Sequence, residues 1–207
     1  MIDLYTWSTP NGYKVSMMLE ETGLEYAVHP VDIGNGAQHE AAFQAISPNG
    51  RIPAIVDGET SVFDSGAILL YLAEKTGQFL PTDPVGRAKV FEWLMFQMAH
   101  VGPMIGQLAW FTRSAPEPVP LAINRYMQES GRLLGVLDRQ LAKHEFIAGD
   151  EYTIADIAHY GWVSLAQGPV REGAADQVGE GKALDRWLRA VGERPATIKG
   201  MQVPATD

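Results

Sequence analysis

The amino-acid sequence predicts an α/β domain followed by an all-helical one, and three observations carry this. Short apolar runs alternate with helical stretches as far as Leu80, the pattern changes at Leu80-Pro81-Thr82-Asp83-Pro84, and no convincing strand follows. Asp57-Gly58, set between two apolar runs, is a strong hairpin signal in the first part. With 207 residues, 46% of them hydrophobic, the chain can build a sizeable core in one or two domains, which excludes general disorder.

Residues 2–7 (Ile2, Leu4, Tyr5, Trp7) read as the first strand. Thr9-Pro10-Asn11-Gly12 is a turn into a helix of about 12–22, closed by Gly23. Tyr26 to Ile33 reads as a second strand. A polar Gly34-Asn35-Gly36 loop and a short helix near 40–45 follow. Ser47-Pro48-Asn49-Gly50 is a turn. Ile52 to Val56 and Ser61 to Phe63 form the hairpin, and Ser65 to Thr76 is an apolar helix closed by Gly77. The order is βαβ, then α, then ββα, an α/β unit with a mixed sheet.

The second part is helical. Residues 87–112 carry Val90, Trp93, Leu94, Gln97, Val101, Met104, Ile105 and Leu108 at i+3/i+4 spacing, with Pro103 expected to interrupt them. Residues 121–143 give another amphipathic helix. Thr153-Ile154-Ala155-Asp156 fits a capping box opening a helix to about Leu165, and Ala183 to Val191 is the last clear helix. The expected division is 1–80 for the α/β domain, 81–86 for a linker and 87–207 for the helical domain.

Composition narrows the chemistry. The chain has no cysteine, which rules out disulfides, Cys-ligated metal sites and any protein thiol nucleophile. A net charge of −9 argues against nonspecific binding to nucleic acid or to an anionic membrane. The longest apolar run, Ala67 to Ala73, is too short to span a bilayer. The MIDLYTW start lacks the basic region of a signal peptide, so a cytoplasmic location is expected. The five histidines show no metal spacing, and no serine-hydrolase elbow or Walker loop is present. Residues 1–80 hold three basic residues (Lys14, Arg51, Lys75) against ten acidic ones. An anion bound there needs local donors such as helix N-termini, Arg51 or cations of the second part. These patterns alone stop short of a reaction.

Four segments go further: LYTWSTPNGYKV, SPNGRIPAIVD, FDSGAILLYLAEKTG and YTIADIAHYGWV. Through them the chain resembles the cytosolic glutathione transferase superfamily over nearly its full length. TPNGYKV with WLMFQMAHVGPMIGQLAWF is more similar to the bacterial nu-type subgroup. Members of that subgroup are glutathione-dependent disulfide-bond reductases related to a yeast nitrogen-regulation protein. The resemblance implies a thioredoxin-like N-terminal domain, an all-α C-terminal domain and a homodimer. It also implies glutathione or its disulfide as ligand, with a small disulfide or electrophile as second substrate and no metal.

Residue by residue, the resemblance implies a cis Ile52–Pro53 bond, with the Ile52 backbone pairing with the cysteinyl part of glutathione like an added strand. Asp64 and Ser65 then receive the ammonium and carboxylate of the γ-glutamyl end, although Ser65 is also a good N-cap in its own right. Gln38 and Arg51 are assigned to the glycyl carboxylate, and Arg132 of the helical domain to glutathione as well. Thr9 and Asn11, at the start of the first helix, are the candidates to hydrogen-bond the glutathione sulfur, with Tyr5 and Ser8 as rivals because other classes use a Tyr or a Ser. Trp110, Phe111, Met104 and Trp162 are candidates for a second-substrate pocket or for core. The leading expectation is a glutathione-dependent disulfide reductase with weaker transferase and peroxidase activity. A conventional Tyr- or Ser-type transferase and a non-catalytic glutathione-binding regulator are the alternatives.

Overall fold

Ile2, Leu4 and Thr6 are buried and alternate with half-buried neighbours, so Ile2–Thr6 forms a strand, β1, with one face to the core. In the computed structural model, which describes residues 1–205, β1 is a central strand of a four-stranded mixed sheet. The order is β2-β1-β3-β4 for β2 (Tyr26–Pro30), β3 (Ala54–Asp57) and β4 (Thr60–Phe63). β1 runs parallel to β2, with Leu4 opposite Val28, and antiparallel to β3, with Leu4 opposite Ile55. The second strand ends at Pro30 rather than Ile33, because Val31 turns its N–H to the Thr6 carbonyl and buries its side chain with Phe43 and Ala54. The hairpin register pairs Asp57 with Thr60, so Asp57 is the last strand residue and the turn is Gly58-Glu59, with Gly58 at φ 61°.

Helix α1 (Pro10–Thr22) starts two residues earlier than the pattern suggests, because Thr9 caps it and Pro10 occupies the first turn, where no N–H is needed. A single 3₁₀ turn (Ala37–His39) and the short α2 (Ala41–Gln44) lead into the third strand, and α3 (Ser65–Thr76) follows the hairpin. This is the thioredoxin-like βαβ-α-ββα order.

Among the described residues the chain forms two compact units, Met1–Pro81 with the residues from Gly192 onward, and Thr82–Val191. The described residues from Gly192 onward, expected within the 87–207 helical domain, group instead with the first unit. Helix α10 (Pro195–Gly200) packs against α1 of the first unit. Ser16 Oγ donates to the Gly200 carbonyl at 2.6 Å, Arg194 grips Glu21 at 2.6 and 2.8 Å, and a Cβ at Gly200 would collide with the Met17 backbone.

The second unit is helical: α4 (Pro84–Phe96), α5 (Gly102–Arg113), α6 (Pro120–Leu141), α7 (Ile154–Gly173), α8 (Ala175–Val178) and α9 (Lys182–Gly192), which ends at the boundary. Asp83 caps α4, which therefore begins inside the expected 81–86 linker. Pro103 does not break its stretch. A π-helical segment (Gln97–Val101) widens the chain, with Gly102 N–H donating to the Gln97 carbonyl, and Pro103 falls in the first turn of α5. Helix α7 runs past Leu165 and through Pro169, since Ala166 and Val170 on either side are buried in the unit's core. Its start is the expected capping box. Asp156 is fully buried and accepts from the N–H groups of Ile147 and Thr153 and from Trp187 Nε1 at 3.0, 3.0 and 2.8 Å. No helix among the described residues is long and apolar enough to cross a membrane.

Candidate active site

Three backbone features of the first unit converge on one cavity. The first is the start of α1. Thr9 Oγ1 accepts from Gly12 N–H at 3.2 Å, and Thr9 N–H closes a tight turn on the Trp7 carbonyl at 2.7 Å. Gly12 is required there, because a Cβ would collide with the Trp7 carbonyl oxygen and Thr6 Oγ1. This close approach sets Asn11, half-buried, in the first turn of the helix.

The second feature is the segment 47–53. Gly50 N–H donates to the Ser47 carbonyl at 2.8 Å, and the buried Ser47 hydroxyl donates to the Arg51 carbonyl at 2.9 Å. Gly50 sits at φ 60°, which favours glycine, and the backbone of Gln38 lies against it, its carbonyl oxygen 3.3 Å from where a Cβ would stand. The turn thus presents Asn49 and Arg51 on either side of a pinned backbone. The Ile52–Pro53 peptide is cis, as the resemblance implies, and leads straight into β3.

The third feature is the start of α3. Asp64, not Ser65, is the N-cap: its carboxylate accepts from Gly66 N–H at 3.0 Å, and Ser65 is the first helical residue. Asp64 holds φ 70°, a region that costs a non-glycine residue free energy and is concentrated at functional sites. Ser65 is 5% exposed, and its Oγ accepts from Lys14 Nζ at 3.2 Å. Burial pulls the Lys14 ammonium down to about 7, with the Asp64 charge pushing the other way.

Asn11, Asn49, Arg51, Ile52, Phe63, Asp64 and Ser65 line a cavity of about 180 Å³. Five of the expected site residues, Asn11, Arg51, Ile52, Asp64 and Ser65, therefore meet there. Pro53 adjoins it in sequence. Thr9 sits two residues before Asn11 as the helix cap. Gln38 is placed behind Gly50, its Nε2 3.3 Å from His39 Nε2. Arg132 belongs to the helical unit, where its guanidinium grips Glu129 at 2.9 and 2.6 Å and holds that carboxyl below the usual carboxylate range. The rivals are otherwise engaged. The Tyr5 ring stacks on His29 at 4.6 Å and packs against the Phe43 cluster, and Ser8 Oγ donates to the Pro204 carbonyl at 3.3 Å. In the helical unit Trp110 is half exposed, edge-on to Phe111 at 4.8 Å, and Trp162 lies over Gly106, an arrangement more open than a sealed core.

Asn49, Phe63 and Lys14 escaped the sequence reading as site residues. Asn49 looked like turn chemistry and Phe63 like a strand end. Lys14 carried a signal, since a lone lysine stands among the core-facing positions Val15, Met17, Met18 and Leu19 of a helix.

Chemically, the cavity offers a carboxylate, a hydroxyl, two amides, a guanidinium and the N-terminal amides of two helices within one small volume. An acid beside a helix N-terminus suits a zwitterion, with the ammonium on Asp64 and the carboxylate on Ser65 and the α3 amides. Arg51 can take a second carboxylate. Asn11 lies at the positive end of α1, where a sulfur anion is stabilised.

Known proteins are similar to this chain along nearly its whole length. Residues 1–74 match the glutathione S-transferase N-terminal domain and residues 102–195 the glutathione S-transferase C-terminal domain. The disulfide-bond oxidoreductase YfcG of Escherichia coli (strain K12) is 43% identical over 212 residues, 95% of this chain and 93% of that protein. A glutathione transferase from Burkholderia graminis, solved with two glutathione molecules bound per subunit, superimposes with a TM-score of 0.93 at 42% identity, covering 100% of this chain and 89% of that one. Another from Pseudomonas putida, with one glutathione disulfide bound per subunit, has a TM-score of 0.90 at 43% identity over 98% of this chain and 91% of that one. With both domains matched, and with relatives this similar along nearly the whole length, the chain belongs to the glutathione S-transferase family.

Proposed function

We propose that this protein is a glutathione-dependent disulfide-bond reductase in which the sulfur of bound glutathione does the chemistry. The convergence of Asn11, Ile52, Asp64 and Ser65 on one cavity, in a chain without a single cysteine, is the observation that carries this reading. Asp64 and Ser65 hold the γ-glutamyl zwitterion, the Ile52 backbone beside Pro53 pairs with the cysteinyl part, and Arg51, Asn49 and Gln38 favour the glycyl carboxylate. Thr9 and Asn11 stabilise the thiolate at the start of α1. The thiolate attacks one sulfur of a small disulfide, forming a mixed disulfide and expelling a thiolate that takes up a proton. A second glutathione thiolate attacks the glutathione sulfur of the mixed disulfide, releasing the second thiol and glutathione disulfide. Two glutathiones are oxidised for each disulfide reduced. The relatives solved with two glutathiones or with glutathione disulfide support this sequence. Weaker transfer of glutathione to electrophiles or peroxides uses the same thiolate. A cytoplasmic homodimer completes the reading.

The test is turnover of a hydroxyethyl disulfide with glutathione, followed through glutathione reductase and NADPH. Asn11→Ala is expected to lower kcat about tenfold while glutathione affinity stays within a factor of two. Absence of turnover in the wild-type chain, or an unchanged kcat in the variant, sinks the assignment.

A further inference from the structure

Lys14 is 1% exposed beside the buried Val15, Met17, Met18 and Leu19 of α1, and its Nζ donates to Ser65 Oγ at 3.2 Å. A buried cation is costly, and a methionine would fill the same volume without that cost. The lysine lies directly behind the residue that lines the cavity beside Asp64. An ammonium donates and never accepts. Ser65 Oγ must therefore be the acceptor in this bond, which leaves its own O–H proton for another partner.

We infer that Lys14 is a positioning residue for the amino-acid end of the ligand: by donating to Ser65 Oγ it turns the Ser65 hydroxyl proton onto the ligand's α-carboxylate and stands behind that carboxylate as a buried positive charge. This rests on the glutathione reading above. It adds a proton to the binding equilibrium. A neutral Lys14 amine accepts from the Ser65 hydroxyl, so the O–H turns inward and the carboxylate loses both its donor and the cation. Burial sets that change near neutral pH, with Lys14 titrating at about 7 in the ligand-free chain.

Other charged groups sit on the elements packed against α1. Helix α1 packs against α3 and α10. On α3, Asp64 acts on Lys14, while Glu74 and Lys75 lie more than two turns further along. On and before α10, Lys199 and Arg194 face Glu20 and Glu21 near the C-terminal end of α1. Arg51 is the other charged side chain lining the cavity.

Calorimetric titration with S-methylglutathione, whose sulfur cannot ionise, tests this at pH 6 and pH 8 in two buffers of different ionisation enthalpy. The wild-type chain should bind about tenfold more weakly at pH 8 and take up protons on binding at neutral pH. Lys14→Met should bind about tenfold more weakly than wild type at pH 6, with the pH dependence and the proton uptake both gone. Lys14→Arg, which keeps the charge, should lose the pH dependence and retain more affinity. Wild-type binding with equal affinity at both pH values and no proton uptake overturns the inference, as does a Lys14→Met variant with the wild-type profile. The proton uptake is read on the wild-type chain, so it decides even if Lys14→Met does not fold. No binding of S-methylglutathione at either pH overturns the glutathione reading itself and this inference with it.

Discussion

At the start of α7, Thr153 and Asp156 close on each other; at the start of α3, Asp64 and Ser65 do not. The α7 pair is sealed. Thr153 Oγ1 accepts from Ala155 N–H at 3.2 Å, and Asp156 receives its donors from Ile147, Thr153 and Trp187, all within one unit's core. In the α3 pair, Asp64 is exposed at φ 70° and takes the single Gly66 N–H, while Ser65 is approached from behind by Lys14 and faces a cavity. Both pairs place an acid and a hydroxyl at a helix N-terminus. One consumes its hydrogen-bonding capacity internally and holds structure, and the other leaves capacity open toward the cavity at the cost of a disfavoured backbone angle.

The largest expected effect breaks the sealed pair. Asp156→Ala leaves the buried donors of Ile147, Thr153 and Trp187 without an acceptor and should cost about 3 kcal/mol or more in urea unfolding. A loss under about 1 kcal/mol would mean that the box is ornamental. Next, Asp64→Gly removes the acid at the open pair while relieving the positive φ. Stability should change by less than about 0.5 kcal/mol, and glutathione affinity should fall about thirtyfold, measured by thermal unfolding and calorimetry on the same samples. The smallest effect concerns Arg132→Ala. Its half-exposed ion pair with Glu129 is worth little, so stability should change by less than about 0.5 kcal/mol in the same thermal unfolding measurement.

pH separates the same two regions. Burial raises the Asp156 carboxyl to about 6, against about 3.9 in an unfolded chain. The folded state therefore holds more protons between these values, and stability falls as pH rises from about 4 to about 6. Lys14 has the opposite sign. Its folded value of about 7 lies below the unfolded lysine value of about 10.4, so the unfolded chain holds the extra proton and ligand-free stability rises between them. Denaturation across pH should show both limbs, with Asp156→Asn flattening the lower and Lys14→Met the upper.

Much of this was readable from residues. The hairpin at Asp57-Gly58, the α1 and α3 boundaries marked by Gly23 and Gly77, and the α7 capping box all follow from local chemistry, because each signal acts within a few residues. What escaped depends on distant packing. Nothing local tells that α10 returns to lie on α1, since the close contact of Gly200 with Met17 spans nearly the whole chain. The sequence pattern ends this helix near Leu165, but burial of Ala166 and Val170 carries α7 on through Pro169. In the site, Asn11, Ile52, Asp64 and Ser65 were legible through family motifs. Lys14 was visible only as a charge among apolar positions, and Asn49 as a turn residue.

Amide hydrogen exchange of the wild-type chain, with and without glutathione, tests the contrast between the two helix starts most directly. Glutathione should slow exchange at Asn11 and Gly12, at Arg51 and Ile52 and at Ser65 and Gly66, and leave Ala155 and Asp156 at slow rates set by the sealed capping box. Unchanged exchange at the start of α3 in the presence of saturating glutathione would contradict it.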